Sequence, residues 1–563
     1  METNGSGEQS NKTIIHYFYE WERLQPYKLF LCQPIGDSFV DITWGEAGRQ
    51  IRIMATYLNS LGLPPKSTIG LVSKNCAHWL IADLAILISD HVSVPFYPTL
   101  TGPQLRQVLE HSECSVLFVG KLDDWTSLKT GIPDEVHKIA FPSYSSAVPA
   151  ITDQAIQWDE IMATYEPMSG NPLPKPADLF TIVYTSGTTG KPKGVMLSYD
   201  AMAQALEKTR QQMVSDLPET RFFSYLPLCH IAERNIVEAI GIATGGTIYF
   251  AESLDTFAKN LASARPTHFL AVPRIWTRFQ LGILAKIPQK KLDWLLRMPI
   301  LSGIVTRKIR QGLGLDDAKL ILTGAAPMPI SLLLWFRRLG IRIQEAYGMT
   351  ENLGAVSMMP ADQVKDGTVG RVNEGMAVRT DPITGEIMTR SRWNMVGYYR
   401  EPALTAATLK DGWLYTGDVG ELDSDGFLRI TGRVKEMYKS PKGEYIAPAQ
   451  LEFGFADNNH IEQICVTGQQ LPQPIALVVL SEAARKNDRP TITLSLEKTL
   501  KGLNQRVHTY ERVKKLIVVK EPWTVENNRM TPTMKMKRNS IDDHYGNQYE
   551  PWFSREEVVV WEE

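Results

Sequence analysis

Short runs of β-branched and aromatic residues alternate with helical patterns along most of this chain. The strand-like runs lie at residues 68–73, 115–119, 181–184, 247–250, 268–272 and 320–323. Segments with a helical spacing of apolar residues, such as 44–61 and 201–216, lie between them. Alternation of this kind is typical of α/β layers built on largely parallel sheets. We therefore predict an α/β fold for the greater part of the chain.

The length of 563 residues exceeds what one hydrophobic core usually serves, so we expect two or more domains. Between residues 381 and 432 the segments DPITGE, KDGW and DSDG are typical of turns between short strands. They predict a small antiparallel β unit that closes a large N-terminal region. Further strand patterns lie at 463–466, 475–480 and 515–519. The predicted divisions are a disordered N-terminus at 1–12, an N-terminal domain at 13–432 and a small α+β C-terminal domain at 433–563.

Charge balance and cysteine content indicate which partners and which cellular compartment to expect. Lys and Arg number 60 against 62 Asp and Glu, so the chain has no global basic field and we expect no nucleic-acid partner. Five cysteines lie far apart and fit free thiols in a reducing compartment better than a disulfide framework. The N-terminus is polar and lacks the apolar core of a signal peptide. Together these features predict a cytoplasmic protein.

The most distinctive local segment is TIVYTSGTTGKPKGVMLS, at residues 181–198. Two apolar strand patterns flank a loop whose glycines lower the cost of unusual backbone angles, so that backbone N–H groups can face an anion. The residues available to a polyphosphate are Thr185, Ser186, Gly187, Thr188, Thr189, Gly190, Lys191, Lys193 and Gly194. The segment is not a P-loop, because Pro192 stands where the magnesium-binding hydroxyl would be. A flexible surface loop is the alternative interpretation.

The segment YTSGTTGKPKG resembles the phosphate-binding motif of the adenylate-forming enzymes, which include acyl-CoA synthetases, peptide-synthetase adenylation domains and beetle-type luciferases. The resemblance continues as an ordered series of motifs over nearly the whole chain. The forms HIAER, GEYIAP and TPTMK are similar to those of long-chain fatty acyl-CoA synthetases. The resemblance implies two steps: a medium- or long-chain fatty acid and ATP give acyl-AMP and pyrophosphate, and the acyl group then passes to coenzyme A.

Three later motifs are implied to bind the nucleotide. TGAAPMP offers small residues on which a flat base could lie, although a tight turn explains it equally well. In QEAYGMTEN, Tyr347 is implied to cover the purine, Thr350 to contact a phosphate and Glu351 to bind Mg²⁺; a solvated turn is the alternative. In the third motif, WLYTGDVGELDSDGFLRITGR, Asp418 is implied to accept hydrogen bonds from the ribose hydroxyls, with Arg433 assisting. The other implied ATP-binding positions are Gly324, Ala325, Ala326, Glu345, Ala346 and Gly348.

Two residues complete the implied catalytic set with Thr185 and Glu351. His230, in LPLCHIAER, is implied to lie beside the substrate carboxylate and the acyl pocket; a buried, satisfied histidine is the alternative. Lys535, in MTPTMKMKR, is implied to bridge the acyl carboxylate and the α-phosphate. Met534 stands where many family members have glycine, and a basic helix start on the surface is the alternative.

The resemblance also implies movement between the two steps. Lys435 is implied to be the hinge about which a mobile C-terminal domain swings. Gly443 is implied to provide the small residue where the thiol arm reaches the acyl-adenylate. A hairpin turn rich in lysine and glycine is the alternative interpretation of this segment.

The implied cofactors and substrates are ATP, Mg²⁺, coenzyme A and a fatty acid. Two other functions remain open: an acyl-AMP ligase that loads an acyl carrier protein, and a non-catalytic protein that binds nucleotide and lipid. Residues 292–305 are apolar and flanked by lysine and arginine, which suits peripheral contact with a membrane surface. Pro299 and Gly303 break the helical pattern, so we expect instead a buried segment with a solvated basic rim.

Overall fold

Five β-sheets organise the part of the chain that the computed structural model describes, which comprises residues 11–144, 151, 154–186, 192–213, 217–440, 443–525, 527–531 and 535–563. Two large mixed sheets and a small antiparallel sheet precede residue 434. Two smaller sheets follow it. Helices cover the large sheets, as expected for α/β layers.

The first large sheet contains three of the six predicted strand segments, those at 247–250, 268–272 and 320–323. In spatial order its strands are Arg371–Val372, Ser357–Met358, Gln344–Tyr347, Leu320–Thr323, His268–Leu270, Arg221–Ser224, Thr247–Phe250, Leu29–Ile35 and Ser38–Thr43. Pairing is parallel from Gln344–Tyr347 to Leu29–Ile35 and antiparallel at both edges. The prediction of largely parallel sheets is therefore confirmed for the centre of this sheet.

The second large sheet carries the polyphosphate segment. In spatial order its strands are Gly397–Tyr398, Pro192–Ser198, Leu179–Ser186, Val92–Phe96, Thr68–Val72, Val116–Val119, His137–Ala140 and Ala155–Gln157. The strands Leu179–Ser186 and Pro192–Ser198 form an antiparallel hairpin, whereas the strands from Leu179–Ser186 to Ala155–Gln157 pair in parallel.

The turn-rich segment forms the predicted antiparallel unit. Its strands are Ala377–Thr380, Glu386–Arg390, Leu409–Lys410, Trp413–Leu422 and Leu428–Arg433, and every pairing among them is antiparallel. The remaining strands are Tyr438–Lys439 and Tyr445–Ile446 in one sheet, and Ile461–Thr467, Ile475–Leu480, Lys515–Val519 and Val559–Trp561 in another. The predicted small C-terminal α+β fold is thus confirmed.

The α-helices of the N-terminal region are Ile14–Leu24, Trp44–Ser60, Ala77–Ile88, Gly102–Ser112, Trp125–Leu128, Trp158–Thr164, Tyr199–Met213, Ile231–Glu233, Ile240–Ala243, Phe257–Ala264, Pro273–Lys286, Gln289–Arg297, Pro299–Gly312, Ile330–Arg338 and Pro402–Thr408. Those of the C-terminal region are Pro448–Phe453, Arg489–Asn504 and Arg538–Phe553. A π-helical turn spans Arg234–Ala239. Short 3₁₀ turns span Lys129–Gly131, Thr350–Asn352, Ala484–Lys486 and Thr509–Glu511.

Local chemistry explains where the predicted helices begin. Trp44–Ser60 starts at a capping box, in which the Glu46 backbone N–H donates to the Thr43 hydroxyl and the Thr43 backbone N–H donates to the Glu46 carboxylate at 2.8 Å. Reciprocal bonds of this kind satisfy two N–H groups that the helix leaves unpaired. The other predicted helix, at 201–216, is observed as Tyr199–Met213; residues 214–216 lie outside the described part of the chain.

A buried arginine joins a strand of the second large sheet to two helical elements. Arg234 lies in the π-helical turn and is inaccessible to solvent. Its guanidinium pairs with Asp83 at 2.5 Å and Glu238 at 3.1 Å, and it donates to the Thr181 hydroxyl at 2.7 Å. It also lies over the Phe180 ring at 4.7 Å. Asp83 comes from the helix Ala77–Ile88 and Thr181 from the polyphosphate hairpin, so one cation fixes three elements.

The apolar segment at residues 292–305 differs from expectation. It forms parts of the two helices Gln289–Arg297 and Pro299–Gly312, with Pro299 starting the second helix. Leu292 is buried, but Trp294 is 53% exposed and Ile300 81% exposed. The expectation of a buried segment is therefore wrong for its outer face. Within the described residues, no helix is both long and apolar enough to cross a bilayer.

Replacing Arg234 with alanine should leave Asp83 as an uncompensated buried charge. We expect the free energy of unfolding to fall by about 3–5 kcal/mol, measured by urea titration with tryptophan fluorescence. Arg337→Ala is the control, because it removes a partly exposed ion pair with Asp366; it should cost about 0–1 kcal/mol. Equal losses in the two variants would show that the Arg234 pair contributes no more than a surface pair.

Candidate active site

A cleft of about 3530 Å³ lies between the N-terminal region and the C-terminal α+β region. Pockets for single small molecules usually measure about 300–1,000 Å³, so this cleft has room for more than one substrate. The residues predicted for the site that line it are Thr185, Lys193, His230, Gly324, Ala325, Ala326, Glu345, Ala346, Tyr347, Gly348, Thr350, Glu351, Asp418, Arg433, Lys435 and Lys535. Motifs far apart in the chain therefore meet at one place.

The polyphosphate segment forms one wall of the cleft. Thr185 pairs with Lys193 across the hairpin, and both side chains line the cleft. Ser186 is the last residue of its strand. The predicted phosphate-binding residues Gly187, Thr188, Thr189, Gly190 and Lys191 lie outside the described residues.

Backbone surfaces form a flat wall beside this hairpin. The strand Leu320–Thr323 leads into Gly324, where a Cβ would lie 3.0 Å from the Ala346 carbonyl oxygen. Ala325 has a φ of +65°, a conformation that side-chain-bearing residues adopt at a cost and that often marks functional sites. A Cβ on Gly348 would lie 2.2 Å from the Gly354 carbonyl carbon. Close backbone approach therefore excludes a side chain at Gly348 and leaves little room for one at Gly324.

Asp418 is held from two sides. Its carboxylate accepts a hydrogen bond from the Tyr347 hydroxyl at 2.6 Å and another from Arg433 Nε at 2.7 Å. Asp418 and Arg433 face each other on paired strands. Asp418 and Arg433 belong to one sequence motif and Tyr347 to another, and the fold joins all three into one hydrogen-bonded group.

Glu351 is a buried carboxyl at the same wall. Burial raises its pKa, and nearby Lys193 and Arg433 oppose that rise. The Tyr398 hydroxyl donates to Glu351 at 2.7 Å, and Lys193 Nζ lies 5.5 Å from the Tyr398 ring centroid. Sequence reasoning missed Tyr398, because no motif marks it. Only the pairing of Gly397–Tyr398 with Pro192–Ser198 brings it to the site.

His230 presents one ring nitrogen to the cleft. It precedes the short helix Ile231–Glu233, and the Ala232 backbone N–H donates to its Nδ1 at 3.2 Å. A neutral imidazole that accepts at Nδ1 carries its proton on Nε2. Burial, together with the nearby charge of Lys535, lowers the pKa of His230 to about 3. The ring is thus neutral near pH 7, with an Nε2–H donor.

Lys535 enters the cleft from the C-terminal region. Solvent reaches this side chain, yet protein surrounds it on most sides. Loss of water contact lowers its pKa, as does Arg433, while the carboxylates of Asp418 and Glu351 oppose the change. The Lys535 backbone N–H donates to the Thr531 hydroxyl at 3.0 Å. The catalytic lysine predicted from sequence therefore shares one electrostatic environment with the N-terminal residues.

One contact between the C-terminal region and the rest of the protein lies at the helix Pro273–Lys286. Arg274 of that helix pairs with Glu462 at 3.3 Å. Within the C-terminal region, Arg538 pairs with Glu452 at 2.6 Å and with Glu436 at 3.2 Å. The only sequence signal for these contacts was the spacing of Arg538 from Lys535.

Of the two residues predicted to serve the second step, Lys435 lines the cleft and Gly443 does not. Lys435 lies in the turn between the strands Leu428–Arg433 and Tyr438–Lys439, and it lines the cleft. Gly443 has a φ of +90°, which a glycine adopts at no steric cost. Among the described residues, no atom lies within 4 Å of a Cβ built on Gly443. The structure does not bring Gly443 to the cleft.

The donor set of the cleft limits the metals it could hold. Across the described parts of the chain there is no group of three or more His, Cys, Asp or Glu side chains suited to one ion. Mg²⁺ commonly uses one or two carboxylates and completes its shell with water and substrate phosphates. Glu351, beside a polyphosphate hairpin, fits that mode of binding.

Comparison with known families gives two matches. The signature of the AMP-binding enzymes matches residues 18–399, and that of the AMP-binding enzyme C-terminal domain matches residues 440–557. The long-chain-fatty-acid–CoA ligase FadD15 of Mycobacterium bovis is 29% identical over 98% of both chains. Long chain acyl-CoA synthetase 1 of Arabidopsis thaliana is 27% identical over 91% of this chain and 87% of that protein.

Solved structures support the fold. The didomain of a carboxylic acid reductase from Segniliparus rugosus, solved with AMP, superposes with a TM-score of 0.80 and 20% identity. The match covers 97% of this chain and 83% of that one. At this identity the similarity shows the shared fold and nothing further about activity.

The pH dependence of stability tests whether the Glu345 carboxyl is buried in the cleft, as the structure shows. Burial raises its pKa from 4.5 to about 8, so the folded state holds a proton that the unfolded state releases above about pH 5. Stability should therefore fall as pH rises from about 5 to 8. Glu345→Gln should show a smaller fall in melting temperature over this range, measured by scanning calorimetry. The exposed Glu482→Gln should match the wild type, and a Glu345→Gln profile as steep as the wild type would contradict the assignment.

Proposed function

The chain belongs to the AMP-binding enzyme family, and from this premise we propose that it activates a fatty acid with ATP and transfers the acyl group to coenzyme A. Relatives named long-chain-fatty-acid–CoA ligase and long chain acyl-CoA synthetase match nearly the whole chain, which supports this substrate class. The observation that carries the proposal is Lys535: a cation from the C-terminal region lies within electrostatic reach of Asp418, Glu351 and His230.

In the first step, an oxygen of the fatty acid carboxylate attacks the α-phosphorus of ATP. The bond from that phosphorus to the bridging oxygen breaks, and pyrophosphate leaves with the bonding electrons. Such a displacement depends on positioning and on neutralising charge more than on proton transfer. Lys535 supplies positive charge at the reacting oxygens, and the Nε2–H of neutral His230 donates a hydrogen bond to the carboxylate.

The nucleotide is held by groups that the fold already positions. The Asp418 carboxylate accepts hydrogen bonds from the ribose hydroxyls, in place of its present donors Tyr347 and Arg433. The purine lies on the backbone surface at Gly324. Glu351 would hold Mg²⁺, which would neutralise polyphosphate charge, and Lys193 and Thr185 would face the polyphosphate.

In the second step, the thiol sulfur attacks the acyl carbonyl carbon, the bond to AMP breaks and the thiol proton passes to solvent. Lys535 obstructs the approach of the thiol while it occupies the cleft, and Gly443 is away from it. We propose that residues 433–563 rotate as a unit about Lys435, which withdraws Lys535 and brings Gly443 towards the acyl group. One cleft then serves both steps in turn.

The acyl chain requires an apolar extension of the cleft. Apolar residues that line the cleft beyond His230 are Ile231, Ile236, Leu270, Val272, Leu281 and Leu353. Burying methylene groups against such side chains favours a longer chain at each added carbon. This lining supports a medium- or long-chain acid over a short polar one.

The direct test measures pyrophosphate release with ATP, Mg²⁺ and a series of acids from acetate to stearate, with and without coenzyme A. We expect turnover to require both the acid and coenzyme A and to peak at the longer acids. Pyrophosphate without acyl-CoA would instead favour transfer to an acyl carrier protein. Absence of pyrophosphate with every acid would favour a non-catalytic nucleotide-binding protein and would refute the proposal.

Lys535→Ala should separate the two steps. We expect pyrophosphate release to fall by about 10²–10³-fold, because one charged group that stabilises the transition state is lost. Conversion of added acyl-AMP to acyl-CoA should keep most of its rate. Lys537→Ala is the matched control, since Lys537 donates to Asn528 at 2.6 Å. The choice of Lys535 is wrong if Lys537→Ala shows the larger loss.

Glu351→Gln should weaken the response to Mg²⁺ while preserving the shape of the site, since glutamine can still accept from Tyr398. We expect the Mg²⁺ concentration for half-maximal pyrophosphate release to rise by at least about tenfold. Glu421, another carboxylate that lines the cleft, is the control, and Glu421→Gln should keep the wild-type value. An unchanged Mg²⁺ requirement in Glu351→Gln would remove this residue from the metal site.

A further inference from the structure

Two adjacent helices on the N-terminal region expose apolar side chains that the proposed reaction does not use. Ile300 is 81% exposed, Trp294 53% and Ile304 48%. Met298, also exposed, lies between the helices Gln289–Arg297 and Pro299–Gly312. Large side chains gathered in one segment are unusual on a free surface, where single exposed apolar residues are the norm.

The apolar residues follow helical stripes that face away from the core. Trp294 lies four residues after Lys290, and Ile304 lies four residues after Ile300, so each pair shares one face of its helix. The opposite faces pack into the protein: Leu292, Leu296, Val305 and Ile309 belong to the hydrophobic cluster around the helix Pro273–Lys286. The inner faces of both helices are therefore covered by the protein itself, whereas the outer stripes remain available for another partner.

The segment that carries these stripes is strongly basic. Between residues 286 and 312 the chain carries seven Lys and Arg and a single acidic residue, although the whole protein has a net charge of −2. The acidic residue, Asp293, pairs with Arg338 at 2.5 Å. The basic residues of the segment are Lys286, Lys290, Lys291, Arg297, Arg307, Lys308 and Arg310. Exposed apolar side chains on helices this rich in cations match a surface that is apolar inside and negatively charged outside.

The helix that precedes this pair lines the cleft. The helix Pro273–Lys286 ends three residues before Gln289–Arg297 begins, and Leu281, Leu284 and Ala285 near its end line the cleft. A link of two residues therefore joins the exposed pair of helices to one wall of the site.

We propose that the helices Gln289–Arg297 and Pro299–Gly312 dock the protein on an anionic phospholipid bilayer. The apolar stripes enter the boundary between headgroups and acyl chains, and the lysines and arginines contact the lipid phosphates. This inference rests on the proposed function in one respect: a long-chain acid partitions into a bilayer, so docking there places the cleft next to its substrate. The docking itself requires no catalytic step.

Flotation with vesicles tests the proposal directly, without ATP or coenzyme A. The intact protein should float with phosphatidylcholine vesicles that contain about 30% phosphatidylglycerol, and less with phosphatidylcholine alone. Lys290→Gln with Lys291→Gln should reduce the partition coefficient by about tenfold or more. Trp294→Ser with Ile300→Ser should reduce it comparably, because the apolar contribution is lost.

Matched variants elsewhere on the surface separate docking from general changes of charge or hydrophobicity. Lys498→Gln with Lys501→Gln is the control for the two lysines, and Ile383→Ser with Leu494→Ser is the control for the two apolar residues. All four control residues are exposed and lie outside the two helices. Both controls should float like the wild type. All variants should activate a water-soluble acid such as octanoate at the wild-type rate, so that loss of docking and loss of activity are distinguished.

A probe at the stripe reports insertion itself. The five native cysteines are buried, so NBD attached to Ile300→Cys should report one position, and its emission should shift to the blue and intensify on anionic vesicles. NBD on Leu494→Cys should not respond. The proposal is overturned if the wild type does not float with anionic vesicles, or if the control variants lose as much binding as the stripe variants. It is equally overturned if Trp294→Ser with Ile300→Ser only converts a dimer to a monomer in sedimentation velocity.

Discussion

The buried charge of Arg234 is the interaction on which the arrangement of the N-terminal region depends. A guanidinium without access to water is tolerated only with close partners, because the cost of removing it from water must be offset by charge and hydrogen bonds. Asp83 and Glu238 supply the charge, and Thr181 accepts a hydrogen bond. These partners come from separate elements, so the cation sets the position of the polyphosphate hairpin relative to the turn that follows His230. Buried contacts outside the cleft therefore determine where the hairpin places its side chains in the site.

In the cleft, by contrast, ionisable side chains are held in place but their charged forms are not fully stabilised by the protein. Asp418 is oriented by Tyr347 and Arg433, and Glu351 by Tyr398. Burial raises the pKa of Glu351 and lowers those of His230 and Lys535. Each shift shows that the charged form is less favourable here than in water. A polyanionic nucleotide and its cation would relieve much of this cost, which is how a preorganised site favours its ligand over solvent.

The C-terminal region has hydrophobic clusters of its own, which contain no described residue before Tyr438. Within the region, Arg538 ties the lysine-bearing segment to Glu436 and Glu452. Across the cleft, Arg274 pairs with Glu462 in a partly solvated position, where an ion pair contributes little. The proposed rotation about Lys435 would therefore leave the clusters of the C-terminal region intact.

The sequence by itself determined the α/β class, the strands at 247–250, 320–323, 475–480 and 515–519, the antiparallel unit and the motifs that meet in the cleft. The elements follow from periodicity and local chemistry, which neighbours along the chain decide, whereas the roles of the motifs were implied by the family resemblance. Tertiary structure alone decided that Tyr398 supports Glu351, that Arg433 pairs with Asp418, that Arg234 ties Asp83 to Thr181 and that Ile300 faces solvent. Each of those facts depends on register or burial between segments distant in sequence. Periodicity shows that a helix has an apolar face, but only packing shows which apolar residues another element covers.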